Sequence, residues 1–119
     1  MNLKFSITSA SIFLILICYD ACTPRKALKS TCSPVPTYSA DIKTIIDINC
    51  ASSCHSAEKK KHNIDLSTYE LVKEESGHGA FLGSIRHENG YDAMPQKHDK
   101  LDEATIQKIV CWIQSGTPK

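Results

Sequence analysis

From residue 39 to residue 117 the apolar side chains recur at helical spacing, and no segment alternates as a strand does. The pattern predicts an all-α domain. Its clearest element is "LDEATIQKIVCWIQSG", in which Ile106, Ile109, Val110 and Ile113 keep the spacing of one helix face. Asp102 is placed to cap it, Glu103 complements its dipole, and Gly116 with Pro118 ends it. "YSADIKTIIDINC" predicts a second helix, with Ser39 as N-cap, Asp41 in the first turn and Ile42, Ile45 and Ile46 facing inward. "LSTYELVKEE" predicts a third, opened by Ser67 with Glu70 at the capping-box distance and Leu71 and Val72 inward. "AFLGSIRH" adds a turn or two. The rest of "GHGAFLGSIRHENGYDAMPQKHDK" is a long polar loop, and such a loop in a compact domain usually wraps a ligand or carries a function.

The chain is short. With 119 residues and eight aromatics, it builds a marginal core unless a covalent staple or a buried group adds to it. Fourteen basic against 13 acidic side chains give no net-charge case for nucleic acid or for a strongly acidic partner. Lys4 followed by "SIFLILIC" has the shape of an export signal, with an apolar run far short of the ~20 residues that span a bilayer. Residues 1–21 are therefore expected to be a lipoprotein-type signal peptide. Ala21 before Cys22 fits the small-then-cysteine rule for a lipid-carrying residue; Cys18 is the competing position, and plain cleavage the remaining one. Residues 22–38, rich in Pro, Ser, Thr and Lys, form a tether, and residues 39–117 the domain. The expected location is the periplasm or the outer-membrane surface, with a lipid holding the chain to a membrane. Export makes disulfides permissible.

"CASSCH" places Cys50, Cys54 and His55 at the end of the first helix. The c-type haem attachment signature is C-x-x-C-H, and this motif has one residue more. Residues four apart still share one helix face, so both sulfurs can point the same way, and the histidine directly follows the second cysteine. Two other readings stay open: a Cys50–Cys54 disulfide beside an incidental histidine, or a zinc site completed by a distant histidine. A haem iron would need a second axial ligand. Met1 leaves with the signal, so Met94 is the thioether available, in a loop punctuated by Gly90 and Pro95. His62, His78, His87 and His98 are rivals, each by default a surface histidine.

Together, "YSADIKTIIDINCASSCHS", "IDLSTYELVKE", "FLGSIRHENGYDAMPQ" and "KLDEATIQKIVCWIQSG" resemble, in content and order, the small exported monohaem c-type cytochromes found in Bacteroidetes and Planctomycetes. The resemblance covers residues 38–117. It implies a class I cytochrome c fold with its terminal helices packed across each other. It also implies one covalent haem c on Cys50 and Cys54, with His55 as proximal and Met94 as distal ligand. Ile42, Ile46, Leu82, Ile109, Trp112 and Ile113 are the expected walls around that group. The implied function is electron transfer to an unidentified redox partner protein. Two strong axial ligands leave no open site, which argues against an enzyme. Lys59, Lys60 and Lys61 could steer an acidic partner, or be a solvated face. Three rivals remain: an accessory subunit of a dehydrogenase, a gas-binding domain, or a haem-free, disulfide-stapled surface lipoprotein acting as an interaction module. Cys32 and Cys111 are left over. Their pairing would staple the tether's end to the last helix; the alternatives are a buried thiol at 111 and a free Cys32.

Overall fold

Thr37, and not Ser39, opens the first helix of the computed structural model, which describes residues 32–119. The readings of the signal peptide, Cys18 and Cys22 lie outside the described residues. The Thr37 side chain accepts from the Ala40 N–H, and Asp41 Oδ2 accepts from the Thr37 N–H at 3.0 Å. This cap sits earlier than Ser39 because Tyr38 is buried and already helical. Helix α1 then runs through three contiguous segments, Tyr38–Ile42, Lys43–Ile46 and Asp47–His55. The first and last are wound more widely than an α-helix, with each N–H reaching the carbonyl five residues back; Ile42 bonds Thr37 in this way at 3.2 Å.

A tight turn at Lys61–Asn63 leads to α2, Tyr69–Ser76. Its cap is Thr68, whose hydroxyl accepts from the Leu71 N–H at 3.3 Å, one residue later than the expected Ser67. Asp65 Oδ1 holds the Ser67 N–H instead, at 3.0 Å. Helix α3, Gly79–Ile85, follows after a short break, and α4, Glu103–Gln114, closes the chain. Asp102 caps α4 as its sequence predicts, accepting from the Thr105 N–H at 2.9 Å. Gly116, in the left-handed region at φ 85°, ends it. Among the described residues there is no strand, so the domain is all-α. None of its helices is long and apolar enough to cross a membrane.

Helix α4 packs against the start of α1, and the core forms where they meet. Ile42, Ile46, Val72 and Trp112 are fully buried, with Ile109, Leu66 and Tyr38 beside them. Tyr38 stands between Tyr69 and Trp112, with ring centroids 5.1 Å and 6.0 Å away, within the range in which aromatic pairs attract. The C-terminal residues cover this cluster. The Pro118 carbonyl accepts from the Tyr38 N–H at 2.8 Å and from the Trp112 indole N–H at 2.9 Å. The Tyr69 hydroxyl donates to the Thr117 carbonyl at 2.8 Å. At the edge of the domain Cys32 is joined to Cys111 of α4 by a disulfide spanning 79 residues of sequence.

Candidate functional site

Away from the aromatic core, α1, α3 and the long loop before α4 enclose a cavity of about 260 Å³. Cys50, Cys54, His55 and Met94 all line it, although 39 positions separate the histidine from the methionine. Ile48, Ile64, Leu66, Phe81, Ile85 and Leu101 supply apolar wall. The volume is near the lower end of small-molecule sites, roughly 300–1,000 Å³.

The two cysteines and the histidine lie on the wide-wound segment Asp47–His55. The winding bears directly on the extra residue in "CASSCH". In an α-helix, residues three apart fall about 60° short of a full turn, and residues four apart pass it by about 40°. A turn that holds one more residue brings a four-residue separation back short of the full turn, as three residues are in an α-helix. The additional residue is thus taken up by the helix, with no loop thrown out between the sulfurs. Side chains also bond back to carbonyls one turn earlier, a contact that competes with regular α winding: Asn49 Nδ2 donates to the Ile45 carbonyl at 2.8 Å, and Ser52 Oγ to the Ile48 carbonyl at 3.3 Å.

His55 is buried, 6% exposed, and the chain returning after the turn fixes it. Its Nδ1 lies 3.3 Å from the Ile64 carbonyl, and its own carbonyl accepts from the Leu66 N–H at 2.7 Å. With Nδ1–H donating to that carbonyl, the Nε2 lone pair is the one left for a metal, the arrangement in which imidazole usually ligates. Cys50 and Cys54 are not joined to each other. Burial, and secondarily the neighbouring Cys54, pushes the Cys50 thiol up to about 11. A thiol held neutral in an apolar wall is not poised as a free thiolate nucleophile.

Met94 is half-buried, and its backbone is held at both ends. Its N–H donates to the Ser84 carbonyl at 3.1 Å, and its carbonyl accepts from His87 Nε2 at 3.0 Å. Of the rival histidines, His98 lines the cavity. His87 is turned to the Met94 carbonyl, His62 lines an adjoining shallow hollow, and His78 precedes α3. None of the six expected walls lines the cavity: Ile42, Ile46, Ile109 and Trp112 pack in the core, and Leu82 and Ile113 pack against it. Phe81, Ile85, Ile64 and Leu101, which the sequence reading did not single out, take their place. The lysines are partly engaged: Lys59 Nζ donates to the Ser52 carbonyl at 2.8 Å, Lys60 pairs with Asp65 at 3.3 Å, and Lys61 lines the cavity and bonds Gln96.

The donor set is two thiols, an imidazole and a thioether around an apolar hollow. Of these, the imidazole and the thioether could ligate a metal, and the two thiols could bond a cofactor covalently. Among the described residues no three His, Cys, Asp or Glu side chains converge as a site for a bare metal ion. Comparison with family models, curated proteins and solved structures finds no match for this chain.

Proposed function

We propose that the domain is an electron carrier holding one c-type haem. The observation that carries this reading is the convergence of Cys50, Cys54, His55 and Met94 on one apolar-walled cavity. In this reading Cys50 and Cys54 hold the group through two thioether links. His55 Nε2 would ligate its iron, oriented by the contact between Nδ1 and the Ile64 carbonyl. The Met94 thioether is the distal ligand, neutral and soft. A haem so held supplies one-electron exchange at its iron, at a potential set by its axial ligands and burial. The chain's own part would be to supply His55 and Met94 as ligands, exclude water with Phe81, Ile85 and Leu101, and leave one side of the cavity open toward a partner protein. Export followed by lipidation at Cys22 would keep the carrier at a membrane surface.

The test is expression with a haem-attachment system, followed by intact mass and spectroscopy. The expected product is heavier than the polypeptide by one haem and shows a c-type reduced spectrum. It also shows the weak far-red band of thioether-ligated ferric haem. Met94→Ala removes that band and lets carbon monoxide bind. A colourless product at the bare polypeptide mass would overturn this reading and favour a haem-free module stapled by Cys32–Cys111.

A further inference from the structure

Helix α3 ends in an unusual way, and the residue responsible touches the Met94 loop. The Glu88 N–H donates to the Gly83 carbonyl at 2.9 Å, and the His87 N–H donates to the Ser84 carbonyl at 3.1 Å. This six-to-one and five-to-two pair is the Schellman ending, in which the residue after the cap adopts the left-handed conformation. Arg86 is the cap, so the left-handed residue is His87, at φ 55°. Glycine is the usual occupant of that position, because a Cβ there crowds the following carbonyl oxygen. Helix α4 ends on the same pattern with Gly116. His87 is one of six non-glycine residues at positive φ among the described residues, so its role rests on the contact its side chain makes.

The imidazole makes one contact that explains it. His87 Nε2 lies 3.0 Å from the Met94 carbonyl. The Met94 N–H meanwhile donates to the Ser84 carbonyl, which also accepts from the His87 N–H. Both polar groups of the Met94 peptide backbone are thus tied to the last turn of α3, one directly and one through His87.

We propose that His87 is a positioning residue: its imidazole ties the Met94 carbonyl to the end of α3 and so holds the Met94 thioether at the cavity. The significance of Met94 as a ligand rests on the reading under Proposed function; the tie itself does not. The left-handed backbone serves this purpose by aiming the ring back across the loop. In this role His87 touches no cofactor and is not a distal ligand.

The experiment compares the exported protein with His87→Gly and His87→Gln. Amide hydrogen exchange is followed at Met94 and, as a reference for global opening, at Val110 in α4. His87→Gly relieves the backbone, so thermal stability should be equal or higher. The Met94-to-Val110 exchange ratio should nevertheless rise roughly fivefold, the worth of one typical hydrogen bond. His87→Gln, which can donate from a similar distance, should bring the ratio back most of the way to wild type. In haem-loaded protein, His87→Gly should weaken the far-red thioether band and admit carbon monoxide, and His87→Gln should restore both. An unchanged ratio in His87→Gly, or equal rises at both amides, would refute the positioning role. If the wild type carries no haem but the exchange ratios behave as stated, the electron-carrier reading fails and the tie between His87 and Met94 stands.

Discussion

Replacing Cys32 by Ser and Cys111 by Ala opens a loop that holds nearly the whole domain together. The two cysteines are 79 residues apart, so the link restrains almost every described residue in the unfolded chain. Loop-closure entropy for that length predicts about 4.5 kcal/mol of stabilisation at 25 °C. A domain of this size is expected to have only ~4–13 kcal/mol in all. The link therefore supplies a large part of the total, as expected for a core with so few large side chains. Urea unfolding is the appropriate assay, with Cys18 and Cys22 replaced by Ser in both proteins so that one cross-link differs. With an m-value of ~1–2 kcal/mol/M, the midpoint should fall by about 2–4 M. The m-value itself should rise, because the released chain expands and exposes more surface. Reductant added to the cross-linked protein should reproduce most of the shift, which separates the link from the lost burial of the Cys111 sulfur. A midpoint shift under ~0.5 M with no change in m would mean that the cross-link does not limit the unfolded chain, and the entropic account would fail.

Four other outcomes are expected. Gly83→Ala adds a Cβ that would overlap the Tyr91 ring, so the ring must leave its place on α3; helix propensity should gain up to ~1 kcal/mol, while NMR shifts of Tyr91 and Met94 move together. In the bare polypeptide the Cys50 thiol, pushed up to about 11, should be alkylated at pH 8 roughly a hundredfold more slowly than an exposed thiol. Because the unfolded chain ionises first, near the ordinary value of 9.0, folding stability should decline as pH rises from about 9 to about 11; a flat profile measured by chemical denaturation would contradict the burial. Thr68→Ala should cost about 1 kcal/mol in the same denaturation assay and Ser67→Ala almost nothing, which distinguishes the observed α2 cap from its neighbour.

Local signals read well from the sequence, and contacts made by the returning chain did not. Helix α4 was legible from end to end because Asp102, its apolar face and Gly116 each act within the helix itself. The inward face of α1 was legible for the same reason, through Ile42 and Ile46. The caps of α1 and α2 were displaced by one or two residues, since Ser39 and Thr37, like Ser67 and Thr68, carry similar hydroxyls. Tertiary burial of Tyr38 decides the first pair. Cys50, Cys54, His55 and Met94, the residues that the sequence singles out, share the cavity. Its walls were misread. The resemblance assigns Ile42, Ile46 and Trp112 to the cavity, but α4 packs against the start of α1 and the C-terminal residues close over that junction. That leaves Phe81, Ile85 and Leu101 to face the cavity. The hold of His87 on Met94 depends on a left-handed backbone and on loop closure, neither of which leaves a periodic trace.

The Pro118 carbonyl, shared between the Tyr38 amide and the Trp112 indole, brings the two ends of the domain to one pole. A protein fused after Lys119 would therefore emerge beside whatever precedes Tyr38, and not from the opposite side. The same geometry suits circular permutation: a few-residue linker could join the ends, and new ones could be cut in the exposed turn at 57–60, rearranging chain order while every helix keeps its neighbours.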